Sequence, residues 1–149
     1  METRIELAAD LFGTVGRFRR QVKRTAGPPI GTGLPESQAE LLRLVARQPG
    51  ISVREAAAEL GLAANTASTL VSRLTADGLL VRTADSEDRR IGRLKLTESA
   101  QHLADESRAA RRAALGAVLD RLDDAQLRRL TEGLDVLADI TRQLREENP

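Results

Sequence analysis

The sequence predicts a mainly helical chain interrupted by one short β-hairpin, and three observations lead there. Aromatic residues make up 1% of the 149 residues, with Phe12 and Phe18 present and Tyr and Trp absent. A core must then be built from Leu, Val and Ala, which favours helices. Apolar side chains recur at helical spacing in six segments. The period shifts towards that of a strand in one region only, between residues 79 and 96.

Each element has its own justification. Residues 4–26 place Leu7, Ala8, Leu11, Phe12, Val15, Phe18 and Val22 along a helix, and Gly27-Pro28-Pro29 ends it because proline lacks a donor and restricts its predecessor. A second helix starts near Pro35, a residue favoured in a first turn, and runs through Leu41, Leu42 and Val45 to Pro49-Gly50. Ser52-Val-Arg-Glu55 reads as a capping box opening a helix to Leu60 that buries Val53, Ala56, Ala57 and Leu60. Gly61 breaks it. The next helix, about 63–77, has Ala67, Leu70, Val71 and Leu74 on one face, and Gly78 stands where a left-handed cap is wanted. Leu79–Thr83 and Ile91–Leu96 are strand candidates around the polar loop 84–90. Thr97-Glu98 combines a hydroxyl cap with an acidic first turn, opening a helix to about Arg121. Asp123-Asp-Ala-Gln126 opens the last helix, where Leu127, Leu130, Leu134, Leu137 and Leu144 form a seam.

Composition excludes several chemistries. With no cysteine there is no disulfide framework, no thiolate metal site and no thiol nucleophile or redox sensor. His102 is the single histidine, so no multi-histidine metal site and no cofactor is expected. No apolar run approaches the roughly 20 residues of a membrane span, and the charged start Met1-Glu-Thr-Arg lacks a secretory core. A cytoplasmic protein is the expectation. The net charge is +1, but residues 82–95 carry five basic against three acidic side chains, and residues 98–149 carry eight against eleven.

Two short helices joined by a tight turn and followed by a hairpin form a winged helix-turn-helix pattern. The major groove of DNA admits one helix, which the preceding helix braces, and a basic hairpin can reach the neighbouring minor groove. The 63–77 helix offers Asn65, Thr66, Ser68, Thr69, Ser72 and Arg73 opposite its apolar face. Such a face can equally be plain solvated surface; the order of elements around it favours DNA.

Residues 34–97 resemble the MarR family of transcriptional regulators. The family's wing signature, Asp-x-Arg, five residues, then Leu-Thr, is matched by Asp88-Arg89-Arg90 and Leu96-Thr97. Asp85-Ser86-Glu87 fits the acidic wing start, and Leu74-x-x-x-Gly78-Leu79-Leu80-x-Arg82 fits the passage from recognition helix to wing. The flanking helices fit too. The resemblance implies a homodimer on a pseudo-palindromic operator. In it residues 34–97 form a DNA-binding lobe (recognition helix about 63–77, wing about 79–97). Residues 1–33 and 98–149 form a helical dimerisation region built from both chain ends. Without the resemblance, the leucine seam could equally pack within one chain. The candidate DNA contacts are Arg54, Asn65, Thr66, Ser68, Thr69, Arg73, Asp88, Arg89 and Arg90, with Arg90 the wing-tip arginine and Asp88 orienting it. The chain departs from the family pattern at Ala63 and Ala64, where relatives often carry a hydroxyl cap and a longer polar residue. That argues against tight base readout from the helix's first turn.

The implied function is a DNA-binding repressor whose affinity a small anionic or aromatic effector modulates. Phe12, Phe18, Arg17, Arg19 and the 35–48 helix are conceivable lining groups, but both phenylalanines are expected in a helical core, so no ligand residue is named. An enzyme is not expected, because His102 has no nucleophile or orienting partner in a recognisable motif. The alternative is a helical protein–protein adaptor, which would need no Asp88–Arg90 pair in a hairpin.

Overall fold

The computed structural model describes residues 3–147, so Met1, Glu2, Asn148 and Pro149 at the outer limits of the expected dimerisation region lie outside the described residues. The elements are α1 (Arg4–Ala26), α2 (Glu36–Arg47), α3 (Val53–Leu60), α4 (Ala64–Ala76), β1 (Leu80–Ala84), β2 (Gly92–Leu96), α5 (Glu98–Leu119) and α6 (Asp124–Glu147). The mainly helical fold with one hairpin is as the sequence indicates. Boundaries shift by a residue or two where local hydrogen bonds decide. Pro35 precedes α2 rather than entering it, and its carbonyl accepts the first helical bond, from Ala39. Leu79 does not join the strand, because its amide closes the end of α4 on the Leu74 carbonyl. Ile91 likewise closes the wing turn on Asp88.

Local chemistry accounts for the ends. Ser52 Oγ accepts from the Glu55 amide at 3.0 Å while Glu55 takes the Ser52 amide at 3.1 Å, the reciprocal box that satisfies two orphan donors. Asp123 and Gln126 do the same for α6 at 2.7 and 3.0 Å. Thr3 and Glu6 form a third box, at α1. Gly61 (φ 64°) and Gly78 (φ 73°) end α3 and the α4 turn in the left-handed region, where a side chain would be strained.

The core lies inside the lobe formed by α2, α3, α4 and the hairpin. Leu41, Leu42, Leu44 and Val45 of α2 pack with Ile51, Ala56, Val71, Leu74, Leu80 and Leu94. Each such leucine contributes about 1.5–3 kcal/mol through burial. Val53, Leu60 and Leu70, expected inside, are only half-buried at the rim because α3 and α4 are short and meet the core at one edge.

The wing pairs Leu80 with Leu96 through Ala84 with Gly92, antiparallel. The segment before α3 joins it from the other side: Gly50 and Leu94, and Leu94 and Ile51, exchange backbone bonds, and Ser52 bridges Arg93. The hairpin is thereby docked against the α2–α3 turn. Thr97 caps α5 at the Ala100 amide and donates its hydroxyl to the Gly78 carbonyl at 2.8 Å, tying α5 to the end of α4.

The terminal helices are different. Neither α1 nor α6 has a buried residue. α1 packs along α5, and Leu11, Val15, Val22 and Ala26 are its half-buried apolar positions. The expectation that both phenylalanines lie in a helical core is wrong for the single chain: Phe12 is 87% exposed and Phe18 55%. One neighbouring helix covers only one strip of another helix's surface. On α6, Leu130, Leu134, Val136 and Ile140 are exposed, and Arg145 near its end pairs with Glu59 of α3.

Candidate nucleic-acid interface

The buried stripe of α4 (Ala67, Val71 and Leu74) turns the opposite face outward. Asn65, Thr66, Ser68, Thr69 and Arg73 are all exposed on it. Their hydrogen bonds are local. Asn65 Oδ1 accepts from the Thr66 amide at 2.9 Å, leaving a lone pair and the NH2 group for a partner. The Thr69 hydroxyl donates to the Asn65 carbonyl at 2.9 Å. Ala63 gives α4 no side-chain cap, as its identity requires. Arg73, two turns further on, reaches Asp77 at 3.5 Å rather than lying over the helix's N-terminal half.

The wing tip is built around two aspartates. Asp88 Oδ1 accepts from Arg90 Nε at 3.1 Å and Oδ2 from Arg90 Nη2 at 3.2 Å, a two-point clasp that fixes the planar guanidinium. The Arg90 amide bonds the same carboxylate. The Arg90 side chain is nonetheless 91% exposed, so the clasp orients a cation that still faces solvent. Asp85 Oδ2 accepts the amides of Glu87 and Asp88, and its Oδ1 accepts from Arg93 Nε at 3.2 Å.

Of the expected residues, Asp88 and Arg90 are in direct contact, and the α4 residues share one face. Arg89 is exposed beside them in the wing loop, and Arg54 is exposed in the first turn of α3. Sequence reasoning missed Arg93, half-buried on β2 beside the wing loop, and Arg82, whose guanidinium lies across Gly92 where a Cβ would collide with it. The glycine inside a strand was the available signal, since it marks close approach of another group. His102 is exposed on α5, paired with Glu106 at 3.2 Å, and lines neither the α4 face nor the wing.

The Asp85 and Asp88 carboxyls are held below the ordinary carboxylate range. For Asp85 the main cause is the amides of Asp88 and Glu87, then Arg93. For Asp88 it is the Arg90 guanidinium, then its amide. A lowered folded pKa means that the stabilisation is present above the unfolded value, about 3.9. It is lost as pH falls through the still lower folded value. The amide resonances of Asp88 and Arg90, which bond these two carboxylates, are therefore expected to stay fixed from about pH 8 to about pH 5 and to move only below about pH 4. A wing transition centred near neutrality would contradict this arrangement.

A cavity of about 570 Å³ lies between α1, α5 and the loop before α2. Arg19, Arg20, Lys23, Arg43 and Arg111 surround it, with Phe18, Val22 and Leu115 as apolar wall. Arg43 is steadied by the Ile30 carbonyl at 3.1 Å and Glu36 at 3.3 Å. Of the conceivable lining groups, Phe18, Arg19 and the α2 helix (through Arg43) line this cavity, while Phe12 and Arg17 do not. Among the described residues, no helix is long and apolar enough to cross a membrane.

A model of the MarR family matches residues 32–91, from the loop before α2 through the wing turn. Comparison with curated proteins gave no match. Among solved structures, a MarR-family transcriptional regulator from a Rhodococcus species is 27% identical, covering 93% of this chain and 96% of its own, with a TM-score of 0.58. CouR from Rhodococcus jostii, solved bound to p-coumaroyl-CoA, is 29% identical over 89% of this chain and 94% of its own, with a TM-score of 0.58. FabT from Streptococcus pneumoniae, solved in complex with DNA, has 17% identity and a TM-score of 0.67 over 93% of this chain and 95% of its own, a likeness of fold alone. The family match falls on the lobe that carries α4 and the wing, and the likeness to a MarR-family regulator of solved structure runs along nearly the whole chain.

Proposed function

We propose that this protein is a non-enzymatic, sequence-specific regulator that binds double-stranded DNA as a homodimer in the cytoplasm. Residues 34–97 serve as the DNA-binding lobe, and residues 1–33 with 98–149 as the dimerisation region. The observation that carries the reading is the solvent-facing Arg90, clasped by Asp88, on the same lobe as an exposed polar α4 face. A helix for the major groove and an oriented arginine for the minor groove are what duplex recognition needs. The DNA-bound state of FabT, which shares the fold, supports it. A dimer seated on a pseudo-palindromic operator inside a promoter blocks access to it, so repression follows from occupancy. The basic cavity beside α1 and α5, and the anionic aromatic thioester bound by CouR, support a small anionic or aromatic effector.

The test is fluorescence anisotropy of the purified protein on duplexes tiling the DNA upstream of its own gene, against random duplex. Specific binding is expected to exceed random binding by about a thousandfold or more. Equal affinity for all duplexes overturns sequence-specific binding, and no affinity for any overturns the DNA-binding reading and leaves the adaptor. The α4 residues are expected to divide the work. Arg73→Ala should weaken operator and random DNA alike and lower the salt slope by about one unit, as for a phosphate contact. Asn65→Ala should instead narrow the gap between operator and random DNA, since asparagine can pair with an adenine edge. Selective operator loss by Arg73→Ala, with discrimination intact in Asn65→Ala, reverses these roles.

A further inference from the structure

The wing tip is not a free turn. Arg93, on β2, lies opposite Thr83 in the hairpin register and also bridges to Ser52, the buried residue that caps α3. Its guanidinium points three ways. Nε donates to Asp85 Oδ1 at 3.2 Å, Nη1 donates to the Gly50 carbonyl at 3.4 Å, and the same Nη1 stands 3.7 Å from Glu55 Oε1. Gly50 belongs to the turn before α3, and Glu55 to the capping box that starts α3. Asp85, held by Arg93 through one oxygen, uses the other to gather the amides of Glu87 and Asp88. Asp88 then clasps Arg90. One planar guanidinium therefore links the helix-turn-helix to the carboxylate that shapes the tip. Arg93 and Asp85 are the sheltered end of this chain of contacts, at 32% and 21% side-chain exposure, and Arg90 at 91% is the open end.

We infer that Arg93 is a positioning residue for DNA binding: through Asp85 it fixes the wing-tip arginine at a set distance from α4, so that both reach their grooves together. The inference rests on the DNA-binding reading above. Arg93 itself is half-buried and turned inward to Gly50, so it acts through Arg90 and not on DNA. A lysine cannot replace it, because a single ammonium lacks the fork that reaches Asp85 and Gly50 at once.

The experiment is a double-mutant cycle on one duplex selected from a random pool by the wild-type protein, using Arg93→Lys, Arg90→Ala and both together, with backbone relaxation of residues 85–91 in the free proteins. Arg93→Lys keeps the charge and is expected to weaken binding by roughly fivefold to tenfold, the scale expected when a few part-exposed polar interactions break together. Asp85→Asn should do the same from the other side of the contact. In the Arg90→Ala background the effect of Arg93→Lys should vanish, because the group it positions is gone. In the free protein Arg93→Lys should raise the mobility of residues 85–91 while the melting temperature changes little. Full binding by Arg93→Lys shows a charge role and overturns the proposal, as does an effect that adds in full to Arg90→Ala or a wing whose relaxation is unchanged. If Arg90→Ala alone binds like wild type, the wing reading fails instead, and the relaxation data still decide whether Arg93 orders the tip.

Discussion

Replacing Leu130 and Leu134 by aspartate is expected to convert the dimer to a monomer and to remove tight operator binding. Both side chains are exposed on α6 in the single chain, Leu134 by 56%, so the change leaves the lobe core untouched. It places two carboxylates in the proposed interface, where burying an unpaired charge costs far more than a dimer contact returns. A monomer can engage only one half-site. Losing the second, intramolecular contact lowers affinity by about 10²- to 10⁴-fold. Sedimentation equilibrium at micromolar concentration and operator titration measure the two effects. A folded double variant with unchanged dimer mass would show that α6 does not form the interface.

Arg90→Ala is expected to weaken operator binding by about 1–3 kcal/mol, the scale of a good groove contact, which is roughly fivefold to 150-fold. Its side chain has no packing role to lose, being 91% exposed. The minor groove reports mainly width and A·T content, so the loss should fall on affinity more than on discrimination among operators of similar composition. Asp88→Ala should act in the same direction but less, because it removes the clasp and leaves the cation. Unchanged affinity of a folded Arg90→Ala protein at physiological salt would remove the wing from the interface.

Much of this was legible in the sequence because its causes are local. The Ser52–Glu55 box, the Asp123–Gln126 box, the left-handed Gly61 and Gly78, and the threonine cap at Thr97 each act over a few residues and are visible as short patterns. The Asp88–Arg90 clasp is also local, two residues apart, and the wing signature pointed to it. The Thr3–Glu6 box at α1 is a pattern of the same local kind.

The sequence by itself determined the order and type of the elements, the apolar stripe of α4 and hence its outward polar face, and the pair at the wing tip. These follow from periodicity and from side-chain to backbone bonds that close within one turn. Only the tertiary structure decided where the wing stands, because Arg93 reaches Gly50 across 43 positions and no local pattern encodes that reach. It alone gathered Arg19, Lys23, Arg43 and Arg111 from three helices around one cavity. It also decided the fate of the terminal apolar residues. Helical spacing shows that Phe12, Phe18 and Leu134 lie on apolar faces, but burial depends on what packs against a face. In this chain α5 covers one strip of α1 and leaves Phe12 and Phe18 open to solvent, and Leu134 on α6 is likewise exposed.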